Sequence, residues 1–296
     1  MKKTYILSLC LVFLLSGCSQ WNAIMDKMPW QKDEENQSSS DENAVPHDTD
    51  DRSNPSSNDK DDGQAGQENE ESDSSQGMEE DKLTLESAFF NEIKMVDGKK
   101  VIQNPSNIVA LVNKQYALPS SYIPADLMRP NVPFPFGDQK IEKSYLRKEA
   151  SRALEKMFAQ AKRENIELFG VSGYRSYKRQ QEVFSAEVNR VGEKKAVLAV
   201  AIPGFSEHQS GLAMDISSPS VNYDLTESYG NTKEGKWLVA NAHRFGFILR
   251  YPKGKEQVTG YQYEPWHFRY VGIQAATDIF ERNLTLEEYF KVVEKI

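Results

Sequence analysis

The stretch Ser206-Glu207-His208-Gln209-Ser210-Gly211-Leu212-Ala213-Met214-Asp215, with the shorter Glu264-Pro265-Trp266-His267, decides how this chain is read. His208 and Asp215 stand seven apart, a spacing that shares one side of a continuous helix. Gly211 and the preceding Pro203-Gly204 argue against that helix, so a loop entering a short strand is expected, with Asp215 near the strand's end. Imidazole nitrogen and carboxylate oxygen are the donors Zn²⁺ takes when no thiolate is available. A catalytic site uses three of them and keeps a fourth position for water. His208, Asp215 and His267 fill the three places, and Glu264 is left over as a carboxylate to handle a proton.

Working outward, Glu264 precedes His267 by three residues, which in an ideal strand would point them to opposite faces. Pro265 cannot donate a ladder hydrogen bond and marks a strand start or an irregularity, so Glu264 is expected on a loop, reaching the same site as His267. A His-x6-Asp pair alone is common by chance. Here, histidine is scarce: the chain holds four, and of His208, His243 and His267 two fall in these segments. His243, beside Phe245 and Phe247, reads as structural. A third segment, Ser172-Gly173-Tyr174-Arg175-Ser176-Tyr177-Lys178-Arg179-Gln180, lies at an expected strand-to-helix turn, where functional side chains tend to be presented. Arg175 is a permanently charged fork suited to a carboxylate or a developing oxyanion.

The N-terminus reads Met1-Lys2-Lys3, an apolar run over 5–15, then Leu15-Ser16-Gly17-Cys18. The run is too short to span a bilayer and fits a secretory signal. The Leu-Ser-Gly-Cys ending resembles a bacterial lipobox, which would make Cys18 the lipidated mature N-terminus; a plain secretory signal with Cys18 left free is the alternative. The second of the two cysteines, Cys10, lies inside the signal, so neither a disulfide nor a thiolate zinc site is available to the mature chain.

The net charge of −8 conceals a division. Residues 19–82 carry nineteen acids against five bases, whereas 83–296 carry 25 acids against 29 bases, a mildly basic +4. The acidic stretch holds almost no large apolar residue and cannot offset its own ordering entropy, so a disordered spacer of roughly 45 Å or more is expected. An acidic partner- or cation-binding tail is the rival reading of that segment. From 83 onward apolar periodicity persists, enough for one domain. Helices are expected at 146–165, 177–191, 193–201, 233–244, 273–282 and 286–295, and strands at 166–171, 212–216, 247–251 and 262–270. No regular βαβ rhythm appears, which favours α+β over a doubly wound sheet.

The three segments together resemble the VanY-type D-alanyl-D-alanine carboxypeptidases and their LdcB-type L,D-carboxypeptidase relatives, zinc peptidases sharing a fold with the Hedgehog signalling domain. The pattern S-x-H-x-x-G-x-A-x-D is met at Ser206, His208, Gly211, Ala213 and Asp215, and E-P-W-H at Glu264 to His267. S-G-Y-R-S with a later Gln is met at Ser172 to Ser176 and Gln180, and the likeness runs from about Asn104 to about Gly272. The resemblance implies a small antiparallel sheet flanked by helices and one Zn²⁺ held by His208, Asp215 and His267. It implies Glu264 as proton shuttle and Arg175 as oxyanion partner, with Ser206, Gln180, Tyr174 and Trp266 as substrate contacts. The implied activity is removal of a C-terminal D-Ala from peptidoglycan stem peptides at the outer face of a membrane. A pentapeptide (D,D) end is slightly preferred to a tetrapeptide (L,D) end, and a catalytically dead wall-binding lipoprotein on the same fold is the competing class. A monomer without a nucleic-acid partner is expected.

Overall fold

The computed structural model describes residues 82–296; the expectations for the signal, Cys18 and the acidic spacer fall on 1–81, outside the described residues. Within this part the backbone is organised around a four-stranded antiparallel sheet. Its strands are β1 (Phe169–Ser172), β2 (Ala213–Ser217), β3 (Phe247–Leu249) and β4 (His267–Tyr270), in spatial order β1-β2-β4-β3. Because side chains alternate across a strand, β2 and β4 each have an apolar and a chemical face. Met214, Ile216, Phe247, Phe268 and Tyr270 join the main core. The alternate positions on β2 and β4 are Asp215, His267 and Arg269.

The core face is covered by α1 (Lys148–Arg163), whose buried Ala150, Leu154, Met157, Phe158 and Ala161 recur at helical spacing. Ahead of β2 lie α2 (Tyr177–Val191) and α3 (Glu193–Ala199); α4 (Lys233–Asn241) precedes β3. After β4 come α5 (Ile273–Glu281) and α6 (Leu286–Val292). Their apolar residues Ala275, Ala276, Ile279, Leu286 and Tyr289 build a second cluster with Val109, Ile248 and Val271. Sequence signals fix the helix starts. The Ser176 hydroxyl accepts from the Arg179 amide at the head of α2, and Thr285 with Glu288 forms a reciprocal capping box on α6. A separate three-stranded sheet, Ile93–Val96, Lys99–Ile102 and Tyr116–Ala117, precedes all of this. Among the described residues no helix is long and apolar enough to cross a membrane.

The α+β expectation agrees with this architecture, and several boundaries move. Leu146–Arg147 is the end of a two-stranded ribbon with Leu127–Met128, so the expected helix from 146 begins at Lys148. The strand expected at 166–171 lies at Phe169–Ser172. The helix expected over 233–244 ends at Asn241 and continues as a 3₁₀ turn, Ala242–Phe245, up to Gly246 at φ +82°. The strand expected over 262–270 is only His267–Tyr270, because Pro265 lies in a turn. The last expected helix stops at Val292, and Glu294–Lys295 pairs in parallel with Thr84–Leu85.

Candidate metal centre

Register places the first two candidate ligands. Asp215 on β2 is the cross-strand partner of His267 on β4, so their side chains leave the same face side by side. Asp215 thus sits in the middle of its strand rather than near its end. His208 arrives from a 3₁₀ turn, Glu207–Ser210, which Gly211 closes in the left-handed conformation at φ +68°. A Cβ there would also approach Leu127 Cδ2 at 3.0 Å and Arg147 Cγ at 3.1 Å, so both backbone and space call for glycine.

The three side chains converge. His267 Nδ1 lies 3.0 Å from Asp215 Oδ1, and His208 Nε2 lies 3.4 Å from Asp215 Oδ2. The imidazole rings stand edge to face with centroids 4.9 Å apart. One donor atom from each residue lies within 4.8 Å of the others, and among the described residues this is the one such cluster of three. All three are buried. Each imidazole has its second nitrogen engaged. His208 Nδ1–H donates to the Gly173 carbonyl at 2.8 Å, leaving the Nε2 lone pair facing Asp215 and His267. His267 has its Nε2 3.3 Å from Glu207 Oε2. Orientation of ligand histidines by a carbonyl and a carboxylate is the usual outer support of a metal site. Gly173 is required for this approach, since a Cβ there would collide with the Tyr145 carbonyl oxygen.

The charges respond to this packing. Burial alone would raise the Asp215 carboxyl, but His208 and His267 reverse that and hold it well below the usual carboxylate range. Burial lowers His208. It would lower His267 too, yet its hydrogen bonds to Asp215 and Glu207 push it up to about 9. The donor set, two imidazoles and a carboxylate, fits a divalent metal of zinc's preferences.

Glu264 stands beside the cluster, as expected of a loop residue. Its Oε2 is 3.9 Å from His267 Nδ1, and its carbonyl accepts from the His267 amide at 3.1 Å in the turn that Pro265 occupies. Burial raises its carboxyl to about 7, against the opposing pull of His267. Arg175 is also brought in: Nη1 donates to Gln180 Oε1 at 3.0 Å and Nη2 to Ser172 Oγ at 3.2 Å. Burial lowers its guanidinium, while the charges of Asp215 and Glu264 raise it.

The four expected substrate contacts divide. Ser206 and Tyr174 are buried next to His208 and Arg175 in the chain, and Ser206 makes no capping bond to the turn it opens. Gln180 is 1 % exposed; its oxygen accepts from Arg175 Nη1 at 3.0 Å and its amide nitrogen donates to Ala201 O at 2.7 Å, so it holds Arg175 in place. Trp266 is half-buried, one side packed against the main apolar core. His243 stacks flat on Phe280 at 3.7 Å, in line with the structural reading.

Sequence reasoning missed the residues behind His267. Glu207 Oε1 accepts from Arg250 Nε at 2.8 Å and from Arg269 Nη1 at 2.6 Å, and Arg250 is forked onto Glu287 at 2.8 and 2.6 Å. Glu207, Arg250 and Arg269 are fully buried, which charged residues essentially never are unless paired. The only signal was the alternation in His267-Phe268-Arg269, which puts Arg269 on the chemical face.

Comparison with known proteins follows the same residues. The family match is to VanY, D-alanyl-D-alanine carboxypeptidase, over residues 143–273. The protein YodJ of Bacillus subtilis (strain 168) is 58 % identical over 218 residues, covering 74 % of this chain and 80 % of that one. Among solved structures, the LD-carboxypeptidase LdcB is 59 % identical with a TM-score of 0.70, covering 72 % of this chain and all of that one. A mutant of the vancomycin-resistance D,D-pentapeptidase VanY, in complex with Zn(II), is 35 % identical with a TM-score of 0.52, covering 62 % and 98 %. With the fold, the converging His-Asp-His cluster and these relatives in agreement, the chain belongs to the VanY family of D-alanyl-D-alanine carboxypeptidases and is a peptidoglycan-peptide carboxypeptidase by descent.

Proposed function

We propose that the domain binds one Zn²⁺ through His208, Asp215 and His267 and removes the C-terminal D-Ala from peptidoglycan stem peptides. The observation that carries this reading is the buried three-donor cluster with Glu264 3.9 Å from one of its members. Zinc held there supplies an acidic water and an electrophile for the scissile carbonyl. Glu264 takes the proton as water oxygen bonds the carbonyl carbon, then gives it to the D-Ala nitrogen as the C–N bond breaks. Arg175, fixed by Ser172 and Gln180, donates to the oxygen on which negative charge develops. An intact Glu264 also argues against a purely binding role, which needs no proton shuttle.

Of the two stem ends, the greater likeness to LdcB than to VanY favours the tetrapeptide (L,D) end, reversing the slight preference drawn from the motifs. The test is D-Ala release from purified tetrapeptide and pentapeptide stems side by side, with and without chelator. Release from the tetrapeptide at a higher kcat/KM supports the reading; pentapeptide preference returns the D,D assignment, and no chelator-sensitive release from either contradicts the enzyme.

We further propose that Cys18 carries the lipid and that 19–82 spaces the domain from the membrane into the wall; the Leu-Ser-Gly-Cys ending and the acidic, apolar-poor composition support this. Membrane fractionation of the wild type against Cys18→Ala tests it, with loss of membrane association expected in the variant.

A further inference from the structure

We propose that Glu207 is a positioning residue of the metal centre: it fixes the tautomer of His267 so that Nδ1, and not Nε2, is presented to the cation. The inference rests on the zinc reading given above. It is carried by geometry outside the ligand set. Two buried guanidiniums donate into Glu207 Oε1, from Arg250 at 2.8 Å and Arg269 at 2.6 Å, which leaves Oε2 to meet His267 Nε2 at 3.3 Å. A carboxylate has only acceptors to offer, so Glu207 holds a proton on Nε2 and leaves Nδ1, the nitrogen that faces Asp215 at 3.0 Å, as the one a cation would take in place of a proton.

The carboxylate itself cannot swing. Arg250 is clamped by Glu287 through two bonds, and Glu287 also accepts from Asn113 at 3.3 Å. Arg269 is anchored by the Ile108 and Ala110 carbonyls at 3.1 and 2.8 Å and by the Tyr270 carbonyl at 3.0 Å. A chain of fixed groups therefore runs from the segment before the main domain helices and from α6 to the back of one metal ligand.

The isosteric change Glu207→Gln exposes the role. If the amide oxygen keeps both arginines, the NH₂ faces His267 Nε2 and drives its proton to Nδ1, the wrong tautomer. If the amide flips, two guanidiniums face an NH₂. The first arrangement blocks Nδ1; the second keeps Nδ1 free only by setting two buried guanidiniums against an NH₂.

The experiment measures the zinc dissociation constant by chelator competition for wild type, Glu207→Gln and Glu287→Gln, with thermal melts of each in EDTA. Glu207→Gln should weaken zinc by 10–100-fold, while Glu287→Gln, which disturbs the same buried charges without touching His267, should change it less than about twofold. Equal zinc affinity in wild type and Glu207→Gln, or equal weakening in both variants, overturns the role. Should Glu207→Gln not fold, ¹⁵N-histidine NMR of the zinc-loaded wild type decides: a protonated Nε2 on His267 supports the inference, and an unprotonated, metal-shifted Nε2 refutes it. A wild type that binds no zinc would instead remove the reading on which this rests.

Discussion

At the residue scale the chemistry is set by burial acting on a few charges. Burial lifts the Glu264 carboxyl from its ordinary 4.5 to about 7. A carboxyl raised in the folded state contributes stability that is present below the unfolded value and lost as pH rises through the folded one. In metal-free protein that loss falls between pH 4.5 and about 7. Glu264→Gln escapes it, so the metal-free variant should gain on the order of 2–3 kcal/mol over the metal-free wild type between pH 4.5 and 8. Urea titrations in EDTA at the two pH values measure this, and a gap that does not widen with pH contradicts it. The same variant should lose 10²–10⁴-fold in kcat. Arg175→Lys loses the fork that Gln180 and Ser172 hold, and should cost about 10²–10³ in kcat with KM changed much less; an equal effect on both would make Arg175 a ground-state binder. These residues were legible because their donor types and short spacings survive in one dimension. Glu207 was not, since its partners Arg250 and Arg269 lie 43 and 62 residues away. The hold of Gln180 on Arg175 was hidden for the same reason: only the fold shows its amide bridging Arg175 and the Ala201 carbonyl.

At the element scale the site depends on a strand register and two glycines. A slip of one residue between β2 and β4 would turn either Asp215 or His267 into the core. Gly211, at φ +68° with Leu127 and Arg147 against it, delivers His208 to that register. Gly211→Ala should cost about 1–2 kcal/mol, which for a domain of this size lowers Tm by roughly 2–8 °C; an unchanged Tm would show that the turn can relax. Helix existence was legible from periodicity, and α2 agrees with its expected bounds because Ser176 and Gly192 mark both ends. Strands were harder. The 262–270 run shortened because Pro265 turns the chain, and the Ile93–Val96 to Lys99–Ile102 hairpin was passed over although Asp97-Gly98, both at positive φ, is a strong hairpin signal.

At the scale of the whole molecule, the sheet order β1-β2-β4-β3 was not legible, because its β1–β2 and β2–β4 pairings join segments some fifty residues apart with no local mark of which neighbour each takes. What that order creates is an apolar core on one face and, beside the other, the His208–Asp215–His267 cluster backed by a carbonyl and a charged network. A cation that binds only this folded arrangement stabilises it by mass action, about 4 kcal/mol at free zinc a thousandfold above its Kd. Stripping the metal should then lower Tm by roughly 8–16 °C, and a melt indifferent to EDTA would contradict a bound cation. The most direct measurement is a zinc titration of metal-stripped protein read by D-Ala release from a stem peptide. No release is expected before zinc, then a linear rise to one equivalent and a plateau, with Glu264→Ala binding the same equivalent and releasing almost nothing. Full release from the stripped protein, or from Glu264→Ala, would contradict the zinc reading.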